Sequence, residues 1–311
     1  MKIFQGFPHT DSYCGIKTIL TIGTFDGVHL GHRLILKKVI ESARESGKIA
    51  AVVTFDKHPG YVLNPDSPPK ILTTLDEKTA IFDEIGIEAT FVIHFTKEIS
   101  EISADDFISK YLVKCLGMSH FIVGYDHGFG KNREGSTEIL STLSKKLNFN
   151  VDVMKPINYD GIPIKSSVLR DLVTEGEVYK ASQLLGTDYS FRGNVIPGQG
   201  IGRKIGIPTA NIAVIEPEKC IPRTGVYAGW IDVGGERKNA VLSIGQRPTF
   251  DNGKEEVVEA HIPGFIGDLY GQEVRAGFNN RIREIVKYDS SQELVDQIHK
   301  DIEILKQVIQ T

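Results

Sequence analysis

Apolar positions along this chain fall into two regimes. Up to about residue 185, short apolar runs alternate with stretches of helical spacing. Thr18 to Ile22 is an apolar run halted by Gly23. After a glycine-punctuated loop, Leu34, Ile35, Leu36, Val39 and Ile40 recur as one helix face. Ile49 to Phe55 is apolar and valine-rich throughout, the pattern of a strand covered on both faces. Thr74-Leu-Asp-Glu77 reads as a capping box opening a helix to about Ile85, ended by Gly86. Phe91 to Phe95 and Phe121 to Val123 read as strands. Between them Ser103-Ala-Asp-Asp106 opens a helix with Phe107, Ile108, Tyr111 and Leu112 on one side. This alternation predicts an α/β unit with a parallel sheet, whose ligands sit beyond the carboxyl ends of its strands.

The character changes near Gly186. From there to about Arg283, glycine and proline punctuate short β-rich runs: Phe191 to Ile196, Val226 to Val233, Ala240 to Ile244, Glu256 to Ile262 and Gln272 to Phe278. Such spacing predicts a small antiparallel barrel. Ser290-Ser-Gln-Glu293 then opens a last helix, whose stripe of Leu294, Ile298, Ile302, Leu305 and Ile309 should pack on the barrel. Two domains follow, 1–185 and 186–311, joined by a short connection within roughly 183–190. No internal repeat or low-complexity tract interrupts them.

Composition narrows the classes. With 36 Lys+Arg against 40 Asp+Glu, there is no electrostatic case for general nucleic-acid binding. Cys14, Cys115 and Cys220 are odd in number and widely spaced, as expected of a reducing compartment rather than a disulfide framework. No apolar span reaches membrane length and no secretory leader is legible at the N-terminus, so a cytoplasmic, soluble protein is expected.

The chemistry concentrates in a few segments. In Thr21-Ile-Gly-Thr-Phe-Asp-Gly-Val-His-Leu-Gly-His-Arg33 a strand runs through a tight loop into a helix, with His29 and His32 where the helix starts. Free N–H groups and the helix dipole favour phosphate there, and histidines three apart can reach one anion. The Gly-Lys-Ser/Thr ending of a P-loop is missing. Zinc is rejected, because no third His or Cys stands at ligand spacing. Three later segments also follow strands or open helices: Phe55-Asp-Lys-His-Pro59, the glycine-rich Gly124 to Gly135, and Ile164-Lys-Ser-Ser-Val-Leu-Arg170. In the second half, Gly193 to Asn211 carries five glycines and two prolines, which suits a loop folding over a ligand. Its ending, Pro208-Thr-Ala-Asn211, puts a hydroxyl and an amide on one face of an extended backbone, where they could bind one Mg²⁺–phosphate group.

The stretch from Gly23 to His32, of the form Gly-Thr-Phe-Asp-Gly-Val-His-x-Gly-His, resembles the nucleotidyltransferase superfamily, and the prokaryotic FAD synthetases in particular. The resemblance implies a Rossmann-like nucleotidyltransferase domain in which Gly23, Phe25, His29, Gly31, His32, Ser166, Ser167 and Arg170 contact ATP and its phosphates. By the same match His58 and Asp126 hold nucleotide or flavin. Lys57, His127-Gly128 and Lys165 depart from the usual family residues. The implied reaction is attack of the FMN phosphate on the α-phosphorus of ATP, with pyrophosphate leaving.

The second half resembles the riboflavin kinases, through Gly202-Arg-Lys-Ile-Gly-Ile-Pro-Thr-Ala-Asn211, Gly225-Val-Tyr-Ala228, Ser243 to Phe250, Val258-Glu-Ala-His261 and Gly267-Asp-Leu-Tyr-Gly271. That match implies a β-barrel kinase domain with Gly202 and Arg203 on ATP. Glu259 would be the base for the riboflavin 5′-hydroxyl, and Thr209 and Asn211 would hold Mg²⁺. Arg283 matches a recurring arginine and is a candidate flavin or nucleotide contact. Together the resemblances imply a bifunctional enzyme using ATP and Mg²⁺ to convert riboflavin to FMN and FMN to FAD, with no nucleic acid, membrane or protein partner. The alternatives are a chain with one inactive half, a non-catalytic flavin-binding regulator, and a transferase acting on another phosphate.

Overall fold

The computed structural model describes residues 1–7, 17–125, 128–131, 135–198, 200–248 and 254–309. The chain divides into two compact units, Met1–Ser166 and Ser167–Thr311. In the first, six strands form one sheet: β1 (Lys2–Gln5), β2 (Thr18–Ile22), β3 (Ile49–Phe55), β4 (Ala89–Ile93), β5 (Met118–Gly124) and β6 (Asn150–Met154). All neighbours are parallel, in the order β1-β4-β3-β2-β5-β6. The expected α/β architecture holds. The order also turns back at β2, which has β3 on one side and β5 on the other. The loop after β2 therefore opens at the sheet's switch point, where ligand crevices form.

Alternation along the strands explains the two layers. Leu20, Ile22 and Val53 face Phe107, Ile108, Leu112 and Leu140 on one side. Ile19 and Val52 face Leu36, Val39 and Phe82 on the other. That second layer is α1 (Leu30–Ser46) and α3 (Leu75–Ile85); the short α2 (Gly60–Leu63) lies between them in sequence. The capping box of α3 is as expected: Thr74 Oγ1 accepts from Glu77 N–H, Glu77 accepts from Thr74 N–H, and Gly86 ends the helix in the left-handed region. After α4 (Lys97–Ser100), the helix opened by Ser103 is α5 (Ala104–Asp106), and it continues as π-helix over Phe107–Cys115. Leu116 N–H reaches Tyr111 O at 3.1 Å, five residues back, so the turn is wider than the α-helix anticipated. The unit closes with α6 (Thr137–Leu147) and a small hairpin, β7 (Asn158–Tyr159) and β8 (Ile162–Pro163).

The second unit starts inside α7 (Ser166–Thr174). α8 (Val178–Leu185) buries Val178, Ala181, Leu184 and Leu185 and lies beside the barrel strands β9 and β14. The barrel is closed and antiparallel, in the order β10-β13-β12-β11-β14-β9. Its strands are β9 (Tyr189–Ile196), β10 (Ala210–Val214), β11 (Gly225–Val233), β12 (Glu236–Pro248), β13 (Lys254–His261) and β14 (Glu273–Arg283). β10 was not anticipated, and the Gly193–Asn211 stretch is not one loop. Its first residues end β9, its last two begin β10, and the short α9 (Ile201–Lys204) lies between. β10 reads as strand only because both sides find partners, with Asn211 opposite Ile196 on β9 and Glu259 on β13.

α10 (Ser291–Ile309) lays Ile302, Leu305 and Val308 on Val226, Ala228, Val241 and Ile282, so the C-terminal helix packs as expected. Trp230 on β11 is buried, donates from Nε1 to Asp188 Oδ2 at 2.8 Å, and lies under the Arg237 guanidinium at 3.7 Å.

Candidate functional site

The loop after β2 is held in an unusual shape. Phe25 has φ 49° and Val28 φ 37°, with Gly27 at 85° between them. Positive φ is rare for any side chain and an outlier for a β-branched one, so the surroundings must enforce it. They do so through buried polar contacts. Asp26 Oδ1 accepts from the N–H groups of Leu72 and Thr73 at 2.7 and 3.0 Å, and Gly27 N–H donates to Thr73 Oγ1 at 2.9 Å. Lys78, on α3, donates from Nζ to Thr24 O, Thr54 Oγ1 and Phe55 O at 3.0–3.1 Å.

That turn delivers His29 to the N-cap of α1. Its Nδ1 accepts from His32 N–H at 3.2 Å, so the ring proton resides on Nε2. The two imidazoles stack at 3.6 Å and 16°. Gly31 makes room, since a Cβ there would lie 3.1 Å from the His29 ring. Phe25 meets His32 edge-on at 5.1 Å and continues to Phe82. Gly23 packs against the Phe25 ring and bonds Val53 O, which ties the loop's start to β3. Burial pushes His32 well below the usual histidine range, with His29 and the Lys78 ammonium acting in the same direction. His32 Nδ1 and Arg33 Nε are buried with no hydrogen-bond partner among the described residues.

Ser166 joins this group directly, its Oγ donating to Asp26 O at 2.8 Å. Ser167 and Arg170 follow on α7, one exposed and the other half-buried. His58 follows β3, and its Nδ1 accepts from Gly60 N–H at 3.0 Å. Near it Asp56 Oδ2 meets His94 Nδ1 at 2.5 Å. Partial burial works to raise the Asp56 carboxyl, but His94 and the Lys57 N–H outweigh it and leave it below its usual value. Asp126, His127 and Cys14 lie outside the described residues, as do the last two residues of the Ser243–Phe250 motif.

In the barrel, Glu259 stands opposite both Asn211 on β10 and Ser243 on β12. Thr209 Oγ1 donates to Glu259 Oε2 at 3.4 Å, and Asn211 is buried. Hydroxyl, amide and carboxylate thus converge on one patch. The glycine-rich connection presses on it: a Cβ at Gly198 would fall 2.0 Å from Asn211 Nδ2. At Gly202 it would fall 2.3 Å from Ile207 O and 3.3 Å from Thr209 Oγ1. Arg203 is exposed on α9. His261 holds Pro208 O through Nδ1 at 2.9 Å, fixing the residue before Thr209. Arg283 is engaged with the last helix. Its Nε and Nη2 grip Asp301 of α10 at 2.8–3.2 Å, and Nη1 donates to Glu284 O.

Family models match the two halves in turn, FAD synthetase over residues 13–168 and riboflavin kinase over 185–309. A bifunctional riboflavin kinase/FMN adenylyltransferase of Listeria monocytogenes is 36% identical over 293 residues, covering 94% of this chain and 92% of that protein. This chain belongs to the bifunctional riboflavin kinase/FMN adenylyltransferase family. Members from Bacillus subtilis and Escherichia coli K12 are 34% and 32% identical. The first covers 92% of this chain and 90% of its own length, the second 97% and 96%. A solved structure described as a macrolide-efflux protein from Streptococcus pneumoniae superposes with a TM-score of 0.90 at 27% identity, over 98% of this chain and 99% of that one. Among the described residues, no helix is long and apolar enough to cross a membrane.

The sequence motifs include Asp26 but missed the residues that bind the histidine loop from elsewhere. Lys78 and Thr73 both do so, and both are far from it in sequence. A signal was available for Lys78. It stands four residues before Phe82, on the buried face of α3, where a solvated lysine has no place.

Proposed function

We propose that this chain makes FAD in two ATP-consuming steps in the cytoplasm: the barrel phosphorylates riboflavin, and the sheet unit adenylylates the resulting FMN. The observation that carries the reading is the meeting of Thr209, Asn211 and Glu259 across β10 and β13.

In the kinase step Glu259 takes the proton of the riboflavin 5′-hydroxyl as its oxygen attacks the γ-phosphorus of ATP, and ADP leaves. Thr209 orients that carboxylate. The Thr209 hydroxyl and Asn211 amide are hard oxygen donors of the kind Mg²⁺ shares with substrate phosphates, and they would hold the ion. When bound, it supplies neutralisation of phosphate charge. Gly198 and Gly202, whose backbone already lies against Asn211 and Thr209, belong to a connection that covers the nucleotide, and Arg203 extends from it to the phosphates.

In the adenylyl step the FMN phosphate is itself the nucleophile, so no base is required. The sheet unit must position two anions and stabilise charge on the bridging oxygen as pyrophosphate leaves. The Nε2 proton of His29, the His32 ring and the N–H groups opening α1 supply donors at one place, and the Ser166 hydroxyl joins them by turning from Asp26 O to the phosphate. Burial keeps His32 neutral, so it polarises without repelling His29. Ser167 and Arg170 extend the phosphate contacts, while His58 and Asp126 hold nucleotide or flavin.

Chromatography of products from riboflavin, ATP and Mg²⁺ tests the reading. Wild type accumulates FAD. Glu259→Gln binds flavin but forms FMN at least about a hundredfold more slowly, and still converts supplied FMN to FAD. Arrest of wild type at FMN removes the adenylyltransferase assignment, and full kinase activity in Glu259→Gln removes the base.

A further inference from the structure

Lys78 belongs to no motif, yet it reaches the ends of two central strands. Its side chain is 6% exposed. Its ammonium uses three N–H bonds on three acceptors: Thr24 O after β2, and Thr54 Oγ1 and Phe55 O at the end of β3. A buried ammonium is costly to desolvate, and an apolar chain would fill the same place on α3. The charge is therefore kept for what it holds. Thr24 is the last residue before the Phe25–Val28 turn, whose positive φ values need enforcement.

We propose that Lys78 is a positioning residue for adenylyl transfer: by binding Thr24 O to the end of β3 it holds the strained turn, and through it the stacked His29–His32 pair, in phosphate-binding geometry. This rests on the reading of the histidine loop as the adenylyltransferase site. The charged groups acting on the ammonium are Asp26 from the loop after β2 and Asp56 after β3; the His32 ring of α1 also faces it and is held neutral, in part by that ammonium. Burial lowers the lysine from its usual value to about 8, outweighing Asp26 and Asp56. A neutral amine has two N–H bonds for three acceptors, so deprotonation releases one of them. The sign of the linkage is informative. The folded value lies below the unfolded one, so the unfolded chain binds more protons over this range and stability rises with pH. An alkaline loss of FAD synthesis is then not unfolding at this residue.

The test uses the full chain with FMN and ATP, for wild type, Lys78→Met and His29→Ala, from about pH 6.5 to 9.5. Wild-type kcat falls with a midpoint near about 8. Lys78→Met is at least tenfold slower at neutral pH and lacks that limb, while its riboflavin kinase rate is unchanged. Hydrogen exchange of the Gly27 and Val28 amides quickens at least tenfold in Lys78→Met, with β4 amides unmoved. Wild-type FAD synthesis in Lys78→Met, or equal loss of protection throughout the sheet, overturns the positioning role. Wild-type synthesis in His29→Ala instead overturns the site reading on which it rests.

Discussion

Replacing His29 separates two jobs that fall on one ring. Nδ1 caps α1 at 3.2 Å, while the Nε2 proton is assigned to the ATP phosphates. An N-cap is worth about 0.5–2 kcal/mol, and a contact this long belongs near about 1. The ring is also 5% exposed and stacked on His32, so truncation to alanine forfeits buried area worth roughly 1–2 kcal/mol more. His29→Ala should therefore cost the sheet unit about 2–3 kcal/mol of stability. That leaves a domain of ordinary stability mostly folded and cannot by itself slow catalysis a hundredfold. Loss of an oxyanion donor can, at about 3–4 kcal/mol of barrier. Asparagine caps helices well but is too short to present a proton where Nε2 does. Urea unfolding followed by circular dichroism and chromatographic FAD formation from FMN should thus diverge. His29→Asn recovers about 1 kcal/mol of stability over His29→Ala, and both variants stay about 10²–10³-fold slow in FAD formation. If FAD formation in His29→Asn climbs back towards wild type along with stability, the ring is a cap and the chemistry assigned to it is refuted.

Two further outcomes follow from the same geometry. His32 is held well below its unfolded value near 6.5, so its contribution is complete above about pH 6.5 and declines as pH falls towards the folded value, by at most about 1.4 kcal/mol per pH unit. Urea midpoints at about pH 5 and pH 7 should show a slope that His32→Gln reduces; an identical slope in the variant excludes His32 as its source. Asp301 is 1% exposed and paired with an Arg283 side chain only 20% exposed. Asp301→Ala should cost about 2–4 kcal/mol, somewhat below the range for fully buried pairs, read as a lower unfolding midpoint and faster proteolysis of α10. A change under about 0.5 kcal/mol would mean the pair behaves as a surface contact.

What the chain disclosed in advance was local. Thr18–Ile22 and Ile49–Phe55 are strands at the anticipated bounds, because burial on both faces writes itself as an unbroken apolar run. The Thr74–Glu77 box is legible because its two hydrogen bonds join residues three apart. β10 was hidden because Ala-Asn-Ile-Ala-Val is too short and mixed to declare itself without β9 and β13 beside it. The site divides in the same way. His29, His32, Thr209, Asn211 and Glu259 sit in compact motifs, and the fold brings each group together. Asp26 and Lys78 bond to residues 46 and 54 positions away, and Arg283 finds its carboxylate on the last helix. Contacts of that reach leave no periodicity behind.

The chain's single tryptophan is Trp230, sealed in the barrel wall beneath a guanidinium. Intrinsic emission excited at the indole's red edge therefore comes from the kinase half alone and is blind to the other. A melting curve recorded that way dates the loss of the barrel unit, and the ellipticity, to which helices of both units contribute, shows whether the other is lost with it. The molecule carries its own optical means of telling whether its halves come apart together or in turn.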